Sequence, residues 1–451
     1  MPDSLSRRAF LATLAAPALL PAQQPKKPNI VFILADDLGY GDLGCFGQQR
    51  IQTPNIDRLA AEGMRFTSTY AGSTVCAPSR CCLMTGFHTG HALVRGNGNR
   101  PPLDEDVTVA EMLKKAGYAT GAFGKWALGE AQTPGIPNDQ GFDEFFGYYS
   151  QTHAHTYYPT HLWRNKTYEL LRENRGARHN AYSHDLIAEA ALDWMGQVAG
   201  RPFFCYLAFT TPHADNELGA DTGNGQPVPD FGPYAQEPWP DVEKGFAAMI
   251  TRMDRDVGRV LDLLKEKGVD QDTLILFSSD NGPHKEGGHS PAFFESQGGL
   301  RGIKRDFYEG GIRVPAIARW PGKVKAGAVS EQPWAFWDFM PTACELAGVT
   351  PPPTDGISFL PTLLGKKQPQ HDYFYWEIAM PSGAMQAARV GKWKGVRKAL
   401  DQPVEVYDLS QDLAERHDVA QQHPEVVEQV KRVFQQAHVD SDRFPLANGR
   451  G

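Results

Sequence analysis

The strongest constraint on the fold is a set of continuous apolar runs, each stopping abruptly at polar residues. Ile30-Val31-Phe32-Ile33-Leu34-Ala35 runs into Asp36-Asp37, and residues 274–279 run into Asp280-Asn281-Gly282. Residues 119–123 are followed by Gly124-Lys125, and 203–209 by Thr210-Thr211-Pro212-His213. A strand wetted on one face alternates apolar and polar residues. An unbroken apolar run suits a strand covered on both faces, as in a parallel sheet between helices. Helical patterns stand between the runs. Residues 53–62 carry Pro54 near the start with Gly63 beyond the end, 109–115 stop before Gly117, and 246–267 are amphipathic and closed by Gly268. The expectation is an α/β domain over 29–365, a mostly parallel sheet sandwiched by helices. Residues 373–378, 386–390, 393–397 and 404–409 read as short antiparallel strands and 425–437 as a helix, which predicts a smaller α+β subdomain over 366–451.

The 451 residues carry a net charge of −8, which argues against a nucleic-acid binder, a class that is usually basic. Six cysteines are too few for a disulfide scaffold, and the adjacent Cys81 and Cys82 are poorly placed to bridge. No stretch approaches the roughly 20 apolar residues of a spanning helix, so no integral membrane protein is expected. Ser6-Arg7-Arg8-Ala9-Phe10-Leu11 opens a short apolar run ending at Ala22. Residues 1–22 read as a twin-arginine-type signal peptide, and 23–28 as a Gln/Pro/Lys linker. Pro17 and Pro21 disfavour an amphipathic helix there. The expected partner is the twin-arginine export machinery, and the expected location is the bacterial periplasm or exterior.

In open α/β sheets, ligands bind outside the carboxyl ends of the strands. If the four strands are neighbours, their tips gather Asp36, Asp37, Asp280, Asn281, Lys125 and His213. Three carboxylates and an amide oxygen are hard donors, suited to calcium or magnesium rather than zinc. Any one of these pairs could instead cap a helix or make a turn. A fifth element is Cys76-Ala77-Pro78-Ser79-Arg80. Pro78 at a first helical position would place Cys76 just before a helix N-terminus, a favourable place for an anion, with Arg80 one turn in. By its residue type alone, Cys76 could also be a buried apolar filler or a thiolate nucleophile.

The Cys76–Arg80 core followed by Leu83-Met84-Thr85-Gly86 carries a resemblance. Asp36-Asp37, Gly124-Lys125-Trp126, Thr211-Pro212-His213, Ser279-Asp280-Asn281-Gly282 and Gly302-Ile303-Lys304 extend it in order. Together they resemble the sulfatases, a family of the alkaline-phosphatase-like superfamily, over roughly residues 28–410. The resemblance implies hydrolysis of sulfate esters. It implies that a formylglycine-generating enzyme oxidises Cys76 to formylglycine, whose hydrate, a gem-diol, is the nucleophile. It implies calcium, with magnesium as the alternative, on Asp36, Asp37, Asp280, Asn281 and the side chain at 76. Arg80 and Lys125 would position the diol and the anion, and His213 and Lys304 would hold sulfate oxygens and protonate the leaving group.

One position departs from the family pattern. Two residues after Lys125, where many sulfatases carry the histidine that takes the diol proton, stands Ala127. His155, within 151–158, is the first candidate to replace it; a plain loop residue touching sugar or solvent is the competing reading. His284 and Lys285, directly after Asp280-Asn281, are candidate substrate contacts. Tyr148, Tyr149, Tyr157, Tyr158 and Trp163 could stack on sugars or simply pack. Trp376, Glu377 and Arg389 could close the far side of the pocket. The basic stretch 392–398 reads as a charge-protected edge strand rather than a glycan landing site. His88 and His91 have metal-like spacing but lack further ligands. The expected substrate is a sulfated carbohydrate. The alternatives are a phosphoester or phosphonate monoester hydrolase, or a non-catalytic glycan binder if Cys76 stays a thiol.

Overall fold

The computed structural model describes residues 27–98, 106–176, 178–380 and 383–447; the expected signal peptide at 1–22 lies outside them. Fifteen strands are described: β1 (Asn29–Ala35), β2 (Met64–Tyr70), β3 (Ala119–Lys125), β4 (Glu144–Tyr148), β5 (His161–Arg164), β6 (Thr167–Leu170), β7 (Phe203–Ala208), β8 (Thr273–Ser279), β9 (Arg313–Arg319), β10 (Ala328–Ser330), β11 (Trp334–Ala335), β12 (Phe374–Met380), β13 (Gly383–Val390), β14 (Trp393–Arg397) and β15 (Glu405–Asp408). The large sheet runs β10-β2-β9-β8-β1-β7-β3-β4-β5-β6, with β11 beside β2. Its centre, β8-β1-β7-β3-β4, is parallel. The four strands singled out by their apolar runs are therefore four consecutive neighbours. Every residue of β1, β3, β7 and β8 is buried, as strands covered on both faces must be.

Helices cover both faces and split the apolar interior in two. On one face Pro54–Ala61, Ser183–Val198 and Asp241–Glu266 pack against Val31, Ile33, Cys205 and Phe277. On the other, Cys76–Thr85, Val109–Lys115 and Phe339–Ala347 pack against Phe32, Leu34 and Tyr206. The helix expected to begin at Phe246 starts five residues earlier, at Asp241, with Asp241 and Glu243 in its first turn. Acidic side chains there match the positive end of the helix dipole, and the apolar stripe begins only after them.

The second sheet, β12-β13-β14-β15, is antiparallel, with Pro424–Gln436 packed on it. Its other face joins the main core through Trp376, Ile378 and Tyr407. The edge-strand reading of 392–398 is corrected: β14 lies between β13 and β15, and Lys394 is fully buried. Lys394 Nζ donates to Glu309 Oε1 at 2.8 Å and lies 3.0 Å from Glu415 Oε1, tying the second sheet to the first. Trp376, Glu377 and Arg389 are also corrected from pocket walls to parts of this junction. Trp376 donates to Ala71 O, Glu377 pairs with Arg95, and Arg389 donates to Ser68 and Tyr70.

Candidate active site

The parallel strands deliver charged and amide residues to one end of the sheet. β1 delivers Asp36 and Asp37, β8 delivers Asp280 and Asn281, β3 ends on Lys125, and the loop after β7 carries Thr211, Pro212 and His213. Backbone bonds lock these tips together: Asp36 N–H donates to Thr211 O and Asp280 N–H to Ala35 O. β2 ends on the same side, because Tyr70 pairs with Arg313 at the start of antiparallel β9. Six residues after Tyr70 the chain enters the helix Cys76–Thr85, buried along its whole length. The Pro78 expectation is corrected here. Val75 is the N-cap and Cys76 the first helical residue, so Pro78 sits at the third position, where the N–H that proline lacks would have had no helical partner.

At the centre, Cys76 Sγ lies 3.4 Å from Asp36 Oδ1. Lys125 Nζ donates to Asp36 Oδ2 at 2.6 Å. Arg80 grips Asp280 Oδ2 through Nε and Nη2, at 3.0 and 2.8 Å, and donates from Nη1 to Lys125 O. Lys304 Nζ donates to Asp37 Oδ2 at 2.7 Å, to Glu286 Oε2 at 3.1 Å and to His213 Nε2 at 3.2 Å. His213 Nδ1 lies 2.6 Å from Ala214 O, which places its proton there and leaves Nε2 as acceptor. Asp36, Asp37, Cys76 and His213 each bring a ligand atom within 4.8 Å of the others.

The electrostatics follow from three buried carboxylates packed against three buried cations. Burial and the neighbouring Asp36 push the Cys76 thiol well above its ordinary value, so it is not a thiolate. Burial, with Lys304 alongside, holds His213 neutral well below the usual histidine range. Burial, Asp36 and Asp37 raise Asp280 to about 7 against the pull of Arg80. Burial opposes the charge on Lys304, but Asp37 and Glu286 outweigh it and raise its pKa.

A divalent cation fits this donor set. Asn281 Nδ2 donates to Asp37 Oδ1 at 2.7 Å and to Gly282 O, while its buried Oδ1 has no hydrogen-bond partner in the protein. Asn281 is tied to Asp37 and carries an unpartnered oxygen, so together with Asp36, Asp37 and Asp280 it offers an all-oxygen ligand set. Arg80, Lys125 and Lys304 offset the carboxylates they touch, so an added divalent cation would make the cluster more positive and better suited to an anion.

The remaining predicted residues divide. The His155 ring stacks on His213 at 5.0 Å between centroids, and its Nδ1 is 3.2 Å from Glu217 Oε2. His284 is buried, but both its nitrogens serve the loop: Nε2 meets Pro212 O and Nδ1 accepts from Glu286 N–H. It is corrected from substrate contact to loop support, and Lys285 beside it is exposed. Asp355, far along the chain, joins His88 and His91, with His91 Nδ1 2.9 Å from Asp355 Oδ1.

Sequence reasoning missed Glu286, which links Lys304 to Arg305 and is held down to about 2 despite burial, chiefly by Lys304. Its only signal was its place six residues after Asp280. Tyr157 was left between packing and sugar stacking. It is buried, and its hydroxyl lies within hydrogen-bond distance of Thr210 O and His213 O, bracing the His213 loop.

Residues 28–349 match the family model described as Sulfatase, and 302–440 the one described as N-sulphoglucosamine sulphohydrolase, C-terminal. The chain is 33% identical to the dog N-acetylgalactosamine-6-sulfatase over 421 residues, covering 85% of this chain and 74% of that one. It is 32% identical to human arylsulfatase A over 490 residues, covering 94% and 90%. The solved structure of Ps i-CgsB in complex with k-i-k-neocarrahexaose superposes with a TM-score of 0.77 at 28% identity, covering 91% of this chain and 92% of that one. The chain belongs to the sulfatases of the alkaline-phosphatase-like superfamily and is a sulfuric ester hydrolase.

Proposed function

We propose that the chain hydrolyses sulfate esters of a carbohydrate, with formylglycine formed from Cys76 as nucleophile and calcium or magnesium on Asp36, Asp37, Asp280 and Asn281. The observation that carries this reading is the thiol itself: buried, beside Asp36, and driven away from the thiolate form. A cysteine kept as a thiol nucleophile would need the opposite environment. The hydrated aldehyde would supply one hydroxyl to attack sulfur and a second whose deprotonation releases sulfate. The cation, when bound, would supply Lewis-acid charge to that hydroxyl and to the ester.

The chain's own groups do the rest. Arg80 and Lys125 fix the orientation of Asp280 and Asp36 around residue 76. Lys304, charged and beside His213, is placed to hold a sulfate oxygen and to supply the proton the departing alcohol needs. His213 accepts at Nε2 and so can pass that proton. His155, stacked on His213 and partnered by Glu217, takes the second proton in the place of the histidine that Ala127 lacks. The N-acetylgalactosamine-6-sulfatases among the relatives make N-acetylgalactosamine 6-sulfate the first substrate to test. The reading includes maturation by a formylglycine-generating enzyme and twin-arginine export to the periplasm or exterior, on the Ser6-Arg7-Arg8 motif.

The test is a panel of sulfated saccharides and their phosphate counterparts under one set of conditions, with an aldehyde probe reporting on residue 76. Sulfate release by aldehyde-bearing protein is expected. Faster cleavage of phosphate or phosphonate monoesters would favour the phosphoesterase alternative, and binding without cleavage by unconverted protein would favour a glycan binder.

A further inference from the structure

Two strands beyond the catalytic lysine, the sheet edge carries a cavity that the proposed chemistry does not use. Lys125 pairs with Tyr148 across β3 and β4, and Gly147 pairs with Trp163 across β4 and β5. Two interstrand spacings put Trp163 about 10 Å sideways from the backbone of Gly124, the residue before Lys125, at the same level of the sheet. The cavity there has a volume of about 720 Å³. Its wall is an aromatic stack: Tyr149 and Trp163 lie 4.6 Å apart at 17°, and Trp163 and Tyr168 4.2 Å apart at 32°. Tyr149 is buried behind Trp163, whereas Tyr168 is 63% exposed.

The rest of the lining mixes apolar Ala131, Pro134 and Ile136 with polar residues, among them Thr133, Asp139 and Lys166. Thr133 belongs to the loop that leaves Lys125 and returns past the cavity; Trp126 Nε1 donates to Gly135 O and Gln140 Nε2 to Pro134 O, pinning that loop. Lys166 Nζ donates to Asp139 Oδ1 at 2.6 Å, so the two charges on the rim cancel while still offering a donor and an acceptor. Apolar faces beside paired polar groups match a pyranose ring, with C–H groups on its faces and hydroxyls on its edge. The cancelled charge suits a ring without sulfate.

We propose that this cavity is a subsite for an unsulfated pyranose of the same glycan whose sulfated residue is held at the catalytic centre. The proposal rests on the carbohydrate reading above and deepens it: the substrate would be an oligosaccharide or longer chain recognised away from its ester.

The test compares N-acetylgalactosamine 6-sulfate with a tetrasaccharide ending in that residue, using Tyr168→Ala and Trp163→Leu. For the tetrasaccharide, KM is expected to rise about tenfold with kcat kept, a typical effect of losing one aromatic contact. The kinetics of the monosaccharide should not change. A tetrasaccharide KM unchanged in both variants, or equal changes for both substrates, would overturn the subsite while leaving the sulfatase activity intact. Calorimetric titration with the unsulfated tetrasaccharide separates the two readings, because it needs no hydrolysis. Binding by the native chain that Tyr168→Ala weakens supports the subsite even if neither sulfated probe is cleaved; no binding by the native chain overturns it.

Discussion

Asn281 directs both amide hydrogens to protein oxygens and leaves its buried carbonyl oxygen without a partner. An unpaired buried acceptor costs stability unless a ligand completes it. Chelating divalent cations is therefore expected to abolish sulfate release, and calcium to restore it. Asn281→Ala should raise the calcium concentration needed for half-maximal activity about tenfold or more, the scale on which metal sites respond to loss of a supporting group; an unchanged calcium titration would remove Asn281 from the ligand set. The same scale decides His155. Without it, the first step should still release alcohol, and turnover should then stall. His155→Ala is expected to show a stoichiometric burst of alcohol and a kcat about 100-fold lower, the lower range for losing an acid–base group. A slow reaction without a burst would assign His155 to the first step.

The elements account for why so much of the site could be read from sequence. Four apolar runs ending in Asp, Asn, Lys and His are legible because a strand buried on both faces is mostly apolar until it nears the end of the sheet. Strand β9 was not legible for the converse reason. It reads Arg-Val-Pro-Ala-Ile-Ala-Arg, with arginines at both ends and a proline inside, yet it is a buried inner strand. Arg313 is neutralised by Glu309 and Arg319 by Asp270 and Glu62, partners remote in sequence or on other elements. Pro315 is tolerated because the β2 register slips between Phe66 and Thr69, a bulge directly opposite the proline. Lys394 escaped notice in the same way, since its carboxylate partners are Glu309 and Glu415. Gly124 shows how tightly the tips are built. It sits at φ +106°, and a Cβ there would run into the Ala208 carbonyl of the adjacent strand. Gly124→Ala should cost about 1–3 kcal/mol in urea unfolding and lower kcat/KM by displacing Lys125; a variant as stable and active as the native chain would contradict this packing.

Over the whole molecule, the two sheets are joined by a buried ionic cluster rather than by apolar contact alone. Burial and Glu309 raise Glu415 to about 7 even beside Lys394, whereas Glu309 is held at about 2, with Arg313 and Lys394 outweighing its burial. A carboxyl whose pKa is higher folded than unfolded stabilises the fold fully below its unfolded value, and that stability is lost as pH rises through the folded value. The native chain should therefore lose stability between about pH 4.5 and 7 relative to Glu415→Gln, which cannot ionise. Urea unfolding of both proteins at the two ends of that range checks it, and a constant difference would contradict the assignment.

The central claim is that a converted Cys76, among the carboxylates at the strand tips, cleaves a sulfate ester. The most direct measurement is sulfate released from N-acetylgalactosamine 6-sulfate by calcium-loaded protein whose residue 76 is verified as an aldehyde, beside Cys76→Ala prepared identically. The account predicts release by the aldehyde-bearing protein and none above background by the variant. Equal release by Cys76→Ala would contradict it.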